Sequence, residues 1–291
     1  MIRELFKWRH RHGPMNGGGD LLTALAAGET VAAPVTAIVA HPDDELIGMG
    51  SRLSRLQNLT LVYATDGAPS NMRHATALGF DSAEAYSRAR YDESRAALAI
   101  AGANPVRQKV LEFSDGDTVF HLPALVERVA QAISGAATVI THAYEGGHPD
   151  HDSCAFAVQL VCSEISARGQ ERPLRLEFAG YYIHGGQLVT NSFWPAADVH
   201  EAVVRLSWQE RRTKRKAMRA FATQSTIIKK YPPVREAYRR APIYDFSKPP
   251  PPGEWYYDGY NWPLKGKDWL AQVRAELYAD ECRVAARDAT S

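Results

Sequence analysis

Cysteine is scarce in this sequence, with three residues among 291. Cys154, Cys162 and Cys282 are an odd number and show no C-x-x-C spacing, which argues against a disulfide framework and against a thiolate zinc site. We expect reduced thiols packed in helices. This cysteine usage predicts a cytoplasmic protein.

A membrane span and an export signal are also missing. No stretch approaches the roughly 18 consecutive apolar residues that a transmembrane helix requires. Residues 1–20 are basic and rich in glycine, without the apolar core of a secretory signal. We expect residues 1–30 to form a flexible N-terminal segment and the protein to remain in the cytoplasm.

An excess of charge of either sign is the third absence. Lysine and arginine total 34 against 33 aspartates and glutamates, a formal net charge of +1. This balance provides no electrostatic reason to expect nucleic acid or an anionic membrane surface as a partner. It favours a small-molecule substrate and leaves the oligomeric state open.

The chain alternates short β-branched apolar runs with amphipathic helical segments. Strands are predicted at residues 35–40, 59–65, 109–113, 137–141 and 174–183, and helices at 82–101, 121–133, 152–167 and 208–221. Strands that alternate with helices favour parallel pairing through right-handed crossovers. We therefore predict an α/β fold with a doubly wound, mostly parallel sheet and helices on both faces.

Two similar histidine phrases, HPDDE at 41–45 and HPDH at 148–151, each follow an apolar run. In open α/β sheets, ligands bind beyond the carboxyl ends of the strands. Four polar residues are predicted at such ends: His41, Asp66, Asp115 and His148. Their convergence predicts a site at that edge of the sheet.

The phrases have the composition of a metal site. His41 and Asp44 lie three positions apart, so one turn can present both side chains to one ion, and His151 supplies a third ligand. Two nitrogens and one carboxylate oxygen are typical of catalytic zinc sites, which keep a fourth position for water. Zinc is the expected metal, and such a donor set also accepts ferrous iron.

Such a site predicts amide hydrolysis, because zinc lowers the pKa of bound water toward about 7 and polarises a carbonyl. We interpret Asp43 as the general base. His148, if protonated and oriented by Asp150, would stabilise the oxyanion and assist departure of the amine. Glu45 is interpreted as a first-turn carboxylate favoured by the helix dipole, with orientation of His41 as the alternative.

The remaining chain, residues 225–291, differs in composition. Prolines at 249–252 precede a segment dense in aromatic residues at 254–263. Proline disfavours regular structure, and the aromatic residues are too dense for a solvated linker. We expect an extension packed on a catalytic domain of residues 31–224. Its aromatic side chains serve as anchors, as a substrate surface or as a subunit contact.

Several motifs together resemble the LmbE-like, or PIG-L, family of zinc-dependent de-N-acetylases. They are Ala40 to Glu45 with Gly48-x-Gly50, Thr65-Asp66-Gly67, Arg90-x-x-Glu93, Gly147 to His151 and the helix Lys216 to Gln224. The resemblance implies a Rossmann-like domain that deacetylates N-acetylglucosamine-type substrates. It also implies metal ligation by His41, Asp44 and His151, Asp43 as base, and His148 with Asp150 as acid or oxyanion support.

The resemblance has departures. Some relatives place a tyrosine where this chain has Gly146, with Tyr144 and His142 nearby. Substrate-binding groups often follow the Asp66-Gly67 turn, so we treat Asp66, Arg73 and Asp115 as weak substrate-binding candidates. His184 follows a predicted strand and is a further candidate for the border of the cleft.

Three functions remain open from the sequence. The leading one is a zinc-dependent N-deacetylase acting on an N-acetylglucosamine-type amino sugar or glycoconjugate. The second is an amidase acting on a non-sugar or thiol-conjugate amide. The third is a relative that binds metal or carbohydrate without catalysis. The substrate, its acyl group and the metal loaded in the cell are not specified by the motifs.

Overall fold

A mixed sheet of seven strands forms the centre of the protein, in a computed structural model that describes residues 21–260, 262 and 264–288. The described strands are, in chain order, β1 (Val35–Val39), β2 (Leu59–Pro69), β3 (Arg107–Asp115), β4 (Thr138–His142), β5 (Leu174–Phe178), β6 (Tyr181–His184), β7 (Gln187–Thr190), β8 (Glu201–Arg205) and β9 (Arg235–Arg240). The sheet order is β3-β2-β1-β4-β5-β9-β8. The first five strands are parallel, and β9 and β8 are antiparallel additions. The predicted mostly parallel α/β architecture is confirmed.

Helices cover both faces of this sheet. They are α1 (Leu21–Ala27), α2 (Asp44–Met49), α3 (Arg73–Ala77), α4 (Ala83–Ala101), α5 (Leu122–Ala132), α6 (Pro149–Ala167), α7 (Trp208–Met218), α8 (Ser225–Ile228) and α9 (Gly266–Asp288). Successive residues of a strand point to opposite faces. Val35, Ala37 and Val39 of β1 therefore pack in a core with α1, α2, α4 and α7. Ile38 packs in a second core with α5, α6 and α9.

The N-terminal segment differs from its prediction. Residues 1–20 lie outside the described part of the chain, whereas residues 21–27, predicted to be flexible, form α1 with three buried leucines. Burial of Leu21, Leu22 and Leu25 in the first core accounts for this helix. Across the described ranges, no helix is both long and apolar enough to cross a membrane.

The strand predicted at residues 174–183 is interrupted after Phe178. The second half forms a separate hairpin of β6 and β7, paired between Tyr181 and Thr190. Gly180 lies at the break and donates its N–H to Glu145 Oε1 at 2.8 Å. A Cβ atom at Gly180 would lie 2.8 Å from the same oxygen, so a side chain there would be crowded.

Residues 225–291 contribute to the sheet as well as covering it. Strand β9 lies between β5 and β8, inside the sheet rather than outside it. Beyond β9, residues 242–260 and 262, hereafter the C-terminal arm, contact the loop between β4 and α6. Tyr144 of that loop donates its hydroxyl to the Lys248 carbonyl at 2.8 Å, and the Tyr256 N–H donates to the Gly146 carbonyl at 2.8 Å.

Candidate active site

The first histidine phrase forms a strained turn between β1 and α2. Asp44 Oδ2 accepts the backbone N–H of His41 at 2.8 Å, which closes the turn. Asp43 has a φ of 142°, a conformation rarely adopted by residues other than glycine. Its N–H donates to Glu45 Oε2 at 2.9 Å, while Ser94 Oγ donates to Glu45 Oε1 at 2.8 Å. Glu45 thus braces the strained backbone of Asp43, which neither interpretation from the sequence included.

The carboxylate of Asp44 lies between two imidazoles from the two phrases. Asp44 Oδ2 is 3.3 Å from His41 Nδ1, and Asp44 Oδ1 is 3.3 Å from His151 Nε2. The rings of His41 and His151 have centroids 5.4 Å apart. Burial alone would raise the pKa of Asp44, but the neighbouring His151 and His142 hold it well below its usual range. An ionised carboxylate flanked by two imidazoles suits a divalent transition metal.

Three overlapping donor groups that could hold a metal occur among the described residues, and they are His41/His148/His151, His41/Asp115/His148/Asp150 and Asp44/His142/His151. All three lie at the carboxyl edge of the sheet, and each contains at least one histidine of the two phrases. The predicted ligands His41, Asp44 and His151 are therefore spread over these groups rather than confined to one of them. The donor chemistry fits a metal, and the assignment of individual ligands remains a prediction.

His142 is a site residue that the sequence analysis did not single out. It ends β4, and its ring stacks on that of His151 with centroids 3.9 Å apart and planes at 17°. The Ala40 N–H donates to His142 Nε2 at 2.9 Å, so this nitrogen accepts a hydrogen bond at the end of β1. Burial lowers the pKa of His142 well below its usual value, with the neighbouring His151 adding to the effect. A neutral His142 therefore positions His151 and the end of β1.

The second histidine phrase begins α6. His148 is the N-cap residue, and its Nδ1 accepts the N–H of Asp150 at 3.2 Å. Pro149 occupies the first helical position, where its missing N–H costs nothing. Burial, reinforced by the nearby His41, lowers the pKa of His148 to about 3. The ring is therefore neutral, with its proton on Nε2, which lies 3.8 Å from Asp115 Oδ1.

The carboxylate of Asp150 lies closer to His41 than to His148, whose Nδ1 is 3.7 Å from Asp150 Oδ2. Asp150 Oδ2 lies 2.9 Å from His41 Nε2 and accepts the Gly116 N–H at 2.7 Å. Asp150 Oδ1 accepts from the Thr118 hydroxyl at 2.6 Å. A hydrogen bond to the far nitrogen of a metal-ligating histidine fixes its tautomer and ring orientation. Asp150 therefore orients His41 through its side chain and His148 through its backbone N–H.

Arg90 of α4 joins the base candidate to the rest of the site. Its Nη2 donates to Asp43 Oδ2 at 3.0 Å and to the Pro42 carbonyl at 2.9 Å. Its Nη1 donates to the Gly67 carbonyl at 2.7 Å and lies 3.4 Å from Asp115 Oδ2. Burial raises the pKa of Asp43 to about 8 despite the opposing charge of Arg90. The sequence analysis quoted Arg90 within a motif but assigned it no role.

The three weak substrate-binding candidates occupy different surroundings. Asp115 is within the site, with Oδ1 3.2 Å from His41 Nε2. Asp66 accepts the Ala68 N–H at 2.8 Å and lines a groove with Tyr91 and Arg88 of α4. Arg73 is exposed at the start of α3. A substrate-binding role stays a prediction for all three.

The two residues considered for the border of the cleft each pack against a tryptophan, and their place at that border stays a prediction. Tyr144 is buried and stacks on Trp269 of α9 with centroids 5.3 Å apart. His184 belongs to the β6–β7 hairpin and packs against Trp194, 4.7 Å between centroids. Both rings therefore support the region around the arm and hairpin.

Comparison with known proteins gives a family-model match to part of the chain and a fold. Residues 36–162 match the PIG-L family model, described as GlcNAc-PI de-N-acetylase, which confirms the resemblance found in the sequence. No curated protein matches the chain in sequence. The solved structure of the A40926 pseudoaglycone deacetylase Dbv21 is 18% identical and has a TM-score of 0.53, with 74% of this chain and 100% of that chain covered. A deacetylase triple mutant, Orf2*T, from teicoplanin biosynthesis is 16% identical with a TM-score of 0.53, covering 71% and 97%. At these identities the two structures establish the fold.

Proposed function

Taking residues 36–162 as a PIG-L family sequence, we propose that the chain is a metal-dependent hydrolase. It removes an N-acetyl group from an N-acetylglucosamine-type amino sugar or glycoconjugate. The single observation that carries this proposal is the Asp44 carboxylate, 3.3 Å from both His41 Nδ1 and His151 Nε2 at the carboxyl edge of the sheet. Ligands of open α/β sheets bind at this edge.

His41, Asp44 and His151 would hold the metal, with Zn²⁺ as the first choice and Fe²⁺ as an alternative for the same donors. When bound, such a cation supplies an activated water and polarises the amide carbonyl. Asp150 Oδ2 lies 2.9 Å from His41 Nε2, and this contact would fix the orientation of the His41 imidazole when the metal is bound. The donor set is buried, which strengthens electrostatic interactions inside the site.

Asp43 acts as the general base in this proposal. The Arg90 guanidinium fixes its carboxylate at 3.0 Å, and the strained turn directs it beside the candidate ligands. Asp43 takes a proton from the attacking water as the new C–O bond forms. The same proton passes to the nitrogen as the C–N bond breaks, which gives a free amine and acetic acid, and the acid releases the second proton of the water to become acetate.

His148 stabilises the developing oxyanion. Because its Nδ1 accepts the Asp150 N–H, its Nε2 carries the proton and can donate to the carbonyl oxygen. This role uses a neutral imidazole. It therefore differs from the protonated imidazolium expected from the sequence.

Acetate release tests the proposal. The zinc-loaded protein is incubated with N-acetylglucosamine and its glycosides, and free acetate and amine are measured. Asp43→Asn should retain zinc and the Arg90 contact yet lose about 10²- to 10⁴-fold in kcat. Asp92→Asn, an exposed carboxylate on α4, serves as the matched control and should leave kcat unchanged.

Two other outcomes correspond to the alternative functions. Bound zinc with hydrolysis of non-sugar amides alone would replace the deacetylase proposal with an amidase. Bound zinc without hydrolysis of any amide would indicate a non-catalytic binding protein. We also propose a cytoplasmic location, which is supported by the free, buried thiols of Cys154 and Cys162.

A further inference from the structure

Aromatic side chains of the C-terminal arm lie directly against the second histidine phrase. The Trp262 ring packs edge-on against His148, with centroids 5.1 Å apart and planes at 74°. Tyr260 stacks on Trp262 at 5.1 Å and 20°. Tyr256 packs against Tyr260 at 5.0 Å. The arm therefore extends a row of rings outward from the candidate oxyanion donor.

The β6–β7 hairpin continues this row to the other side of the site. Tyr181 packs against Tyr256 with centroids 5.6 Å apart and against His151 at 5.4 Å. Tyr231 packs against Tyr181 at 5.4 Å. The row thus runs unbroken from His148 to His151. We call these five rings the aromatic wall, and they are Tyr181, Tyr231, Tyr256, Tyr260 and Trp262.

The wall is held in place by contacts between the arm and the loop before α6. A Cβ atom at Gly146 would lie 2.7 Å from the Glu254 carbonyl oxygen and 2.9 Å from Pro250 Cγ. The arm therefore crosses directly over Gly146. Tyr257 donates its hydroxyl to Asp152 Oδ2 at 3.4 Å. These contacts fix the arm before any ligand binds.

Three rings of the aromatic wall are more exposed to solvent than the two histidines that the wall contacts. Tyr181, Tyr256 and Trp262 are half-buried, so part of each ring remains accessible. His148 and His151 retain only 9% and 4% of their surface. Accessible rings beside a recessed polar centre are typical of small-molecule sites, where apolar surface supplies affinity and few polar groups set orientation.

From this arrangement we propose that the aromatic wall determines substrate specificity by binding the amine portion of the substrate. This inference rests on the proposed function. The wall consists of neutral indole and phenol rings, which suit a ring with an apolar face, and Lys230 Nζ lies 3.5 Å from the Tyr256 hydroxyl beside it. The substrate class is an N-acyl amino sugar that carries an aromatic or other apolar aglycone.

The test compares N-acetylglucosamine with its β-phenyl glycoside. The wild-type, zinc-loaded protein should have a higher kcat/KM for the phenyl glycoside. Trp262→Ala should raise KM for the phenyl glycoside about threefold to tenfold, with kcat within about twofold. Trp262→Phe should restore most of the affinity. Trp208→Ala, which removes a 70% exposed tryptophan on α7, is the matched control and should change neither constant.

Binding of the amine products separates this inference from the proposed function. Calorimetry measures the affinity of phenyl β-glucosaminide and of glucosamine for the same proteins. The wild type should bind the phenyl compound more tightly than glucosamine, and Trp262→Ala should lose this difference. That result would support substrate binding by the aromatic wall even if no acetate were released. Equal binding of both amines, an unchanged KM in Trp262→Ala, or preference for a phosphorylated amide would overturn it.

Discussion

The arm's position over Gly146 makes a quantitative prediction about Gly146→Ala. Gly146 has a φ of +71°, and a Cβ atom there would meet backbone and proline atoms at 2.7 and 2.9 Å. Gly169, after α6, has nearly the same φ of +70°, but a Cβ atom there would have nothing within 4 Å. Alanine at either position would therefore carry the same free-energy cost of a left-handed backbone. Only at Gly146 would its Cβ atom also clash with neighbouring atoms.

The two alanine variants should separate these contributions. The left-handed backbone costs an alanine about 1–2 kcal/mol at either position. Overpacking against the arm should add about 1–3 kcal/mol at Gly146 alone. We expect Gly169→Ala to lower the free energy of unfolding by about 1–2 kcal/mol and Gly146→Ala by about 2–5 kcal/mol.

Urea unfolding followed by circular dichroism measures both values, with limited proteolysis of the arm as a second readout. In Gly146→Ala the arm should become more sensitive to protease, because the Tyr256 hydrogen bond to the Gly146 carbonyl would be strained. Equal losses of stability in the two variants, with an equally protected arm, would refute the packing of the arm on this loop.

Three further predictions concern buried charges and one histidine. At pH 9, where Asp43 is ionised, Arg90→Leu would leave its buried charge without a counter-charge and should cost about 3–5 kcal/mol of unfolding free energy, whereas exposed Arg88→Leu should cost little. Equal costs in the two variants would contradict the contact. Burial raises the pKa of Glu145 to about 8, so the stability of its neutral form is full below about pH 4.5 and is lost as the pH rises through 8. Glu145→Gln should therefore gain stability over the wild type, on the order of 3 kcal/mol, between pH 5 and 8.5 in pH-dependent denaturation, and a constant difference would argue against the shift. His142→Ala should weaken zinc binding about 10- to 100-fold in a chelator competition, because the ring that it stacks on loses its support; unchanged affinity would exclude this role.

The alternation of apolar runs and helices was sufficient to predict the parallel part of the sheet. The strand-end rule then placed His41 and Asp115 at one edge, because parallel strands end together. The hairpin after Phe178 was not predicted, although Gly180 within residues 174–183 was a usable signal of an interruption. Its break at Gly180 depends on Glu145, which lies 35 residues earlier in the chain.

The functional roles that the sequence did not reveal depend on similarly distant contacts. Arg90 reaches Asp43 across 47 residues, and Asp150 reaches His41 across 109. His142 ends an apolar strand and shows no motif of its own, although a histidine at a strand end beside two others was a usable signal. Local spacing identified the two phrases, and long-range hydrogen bonds decide which groups orient them.

The central claim, a metal held jointly by the two phrases, is tested most directly by the zinc bound per chain. Wild-type protein and Asp44→Ala are each equilibrated with zinc at neutral pH, dialysed and analysed for metal. One equivalent in the wild type and a loss of most of it in Asp44→Ala is the predicted result. A full equivalent in Asp44→Ala, or none in the wild type, would contradict the account.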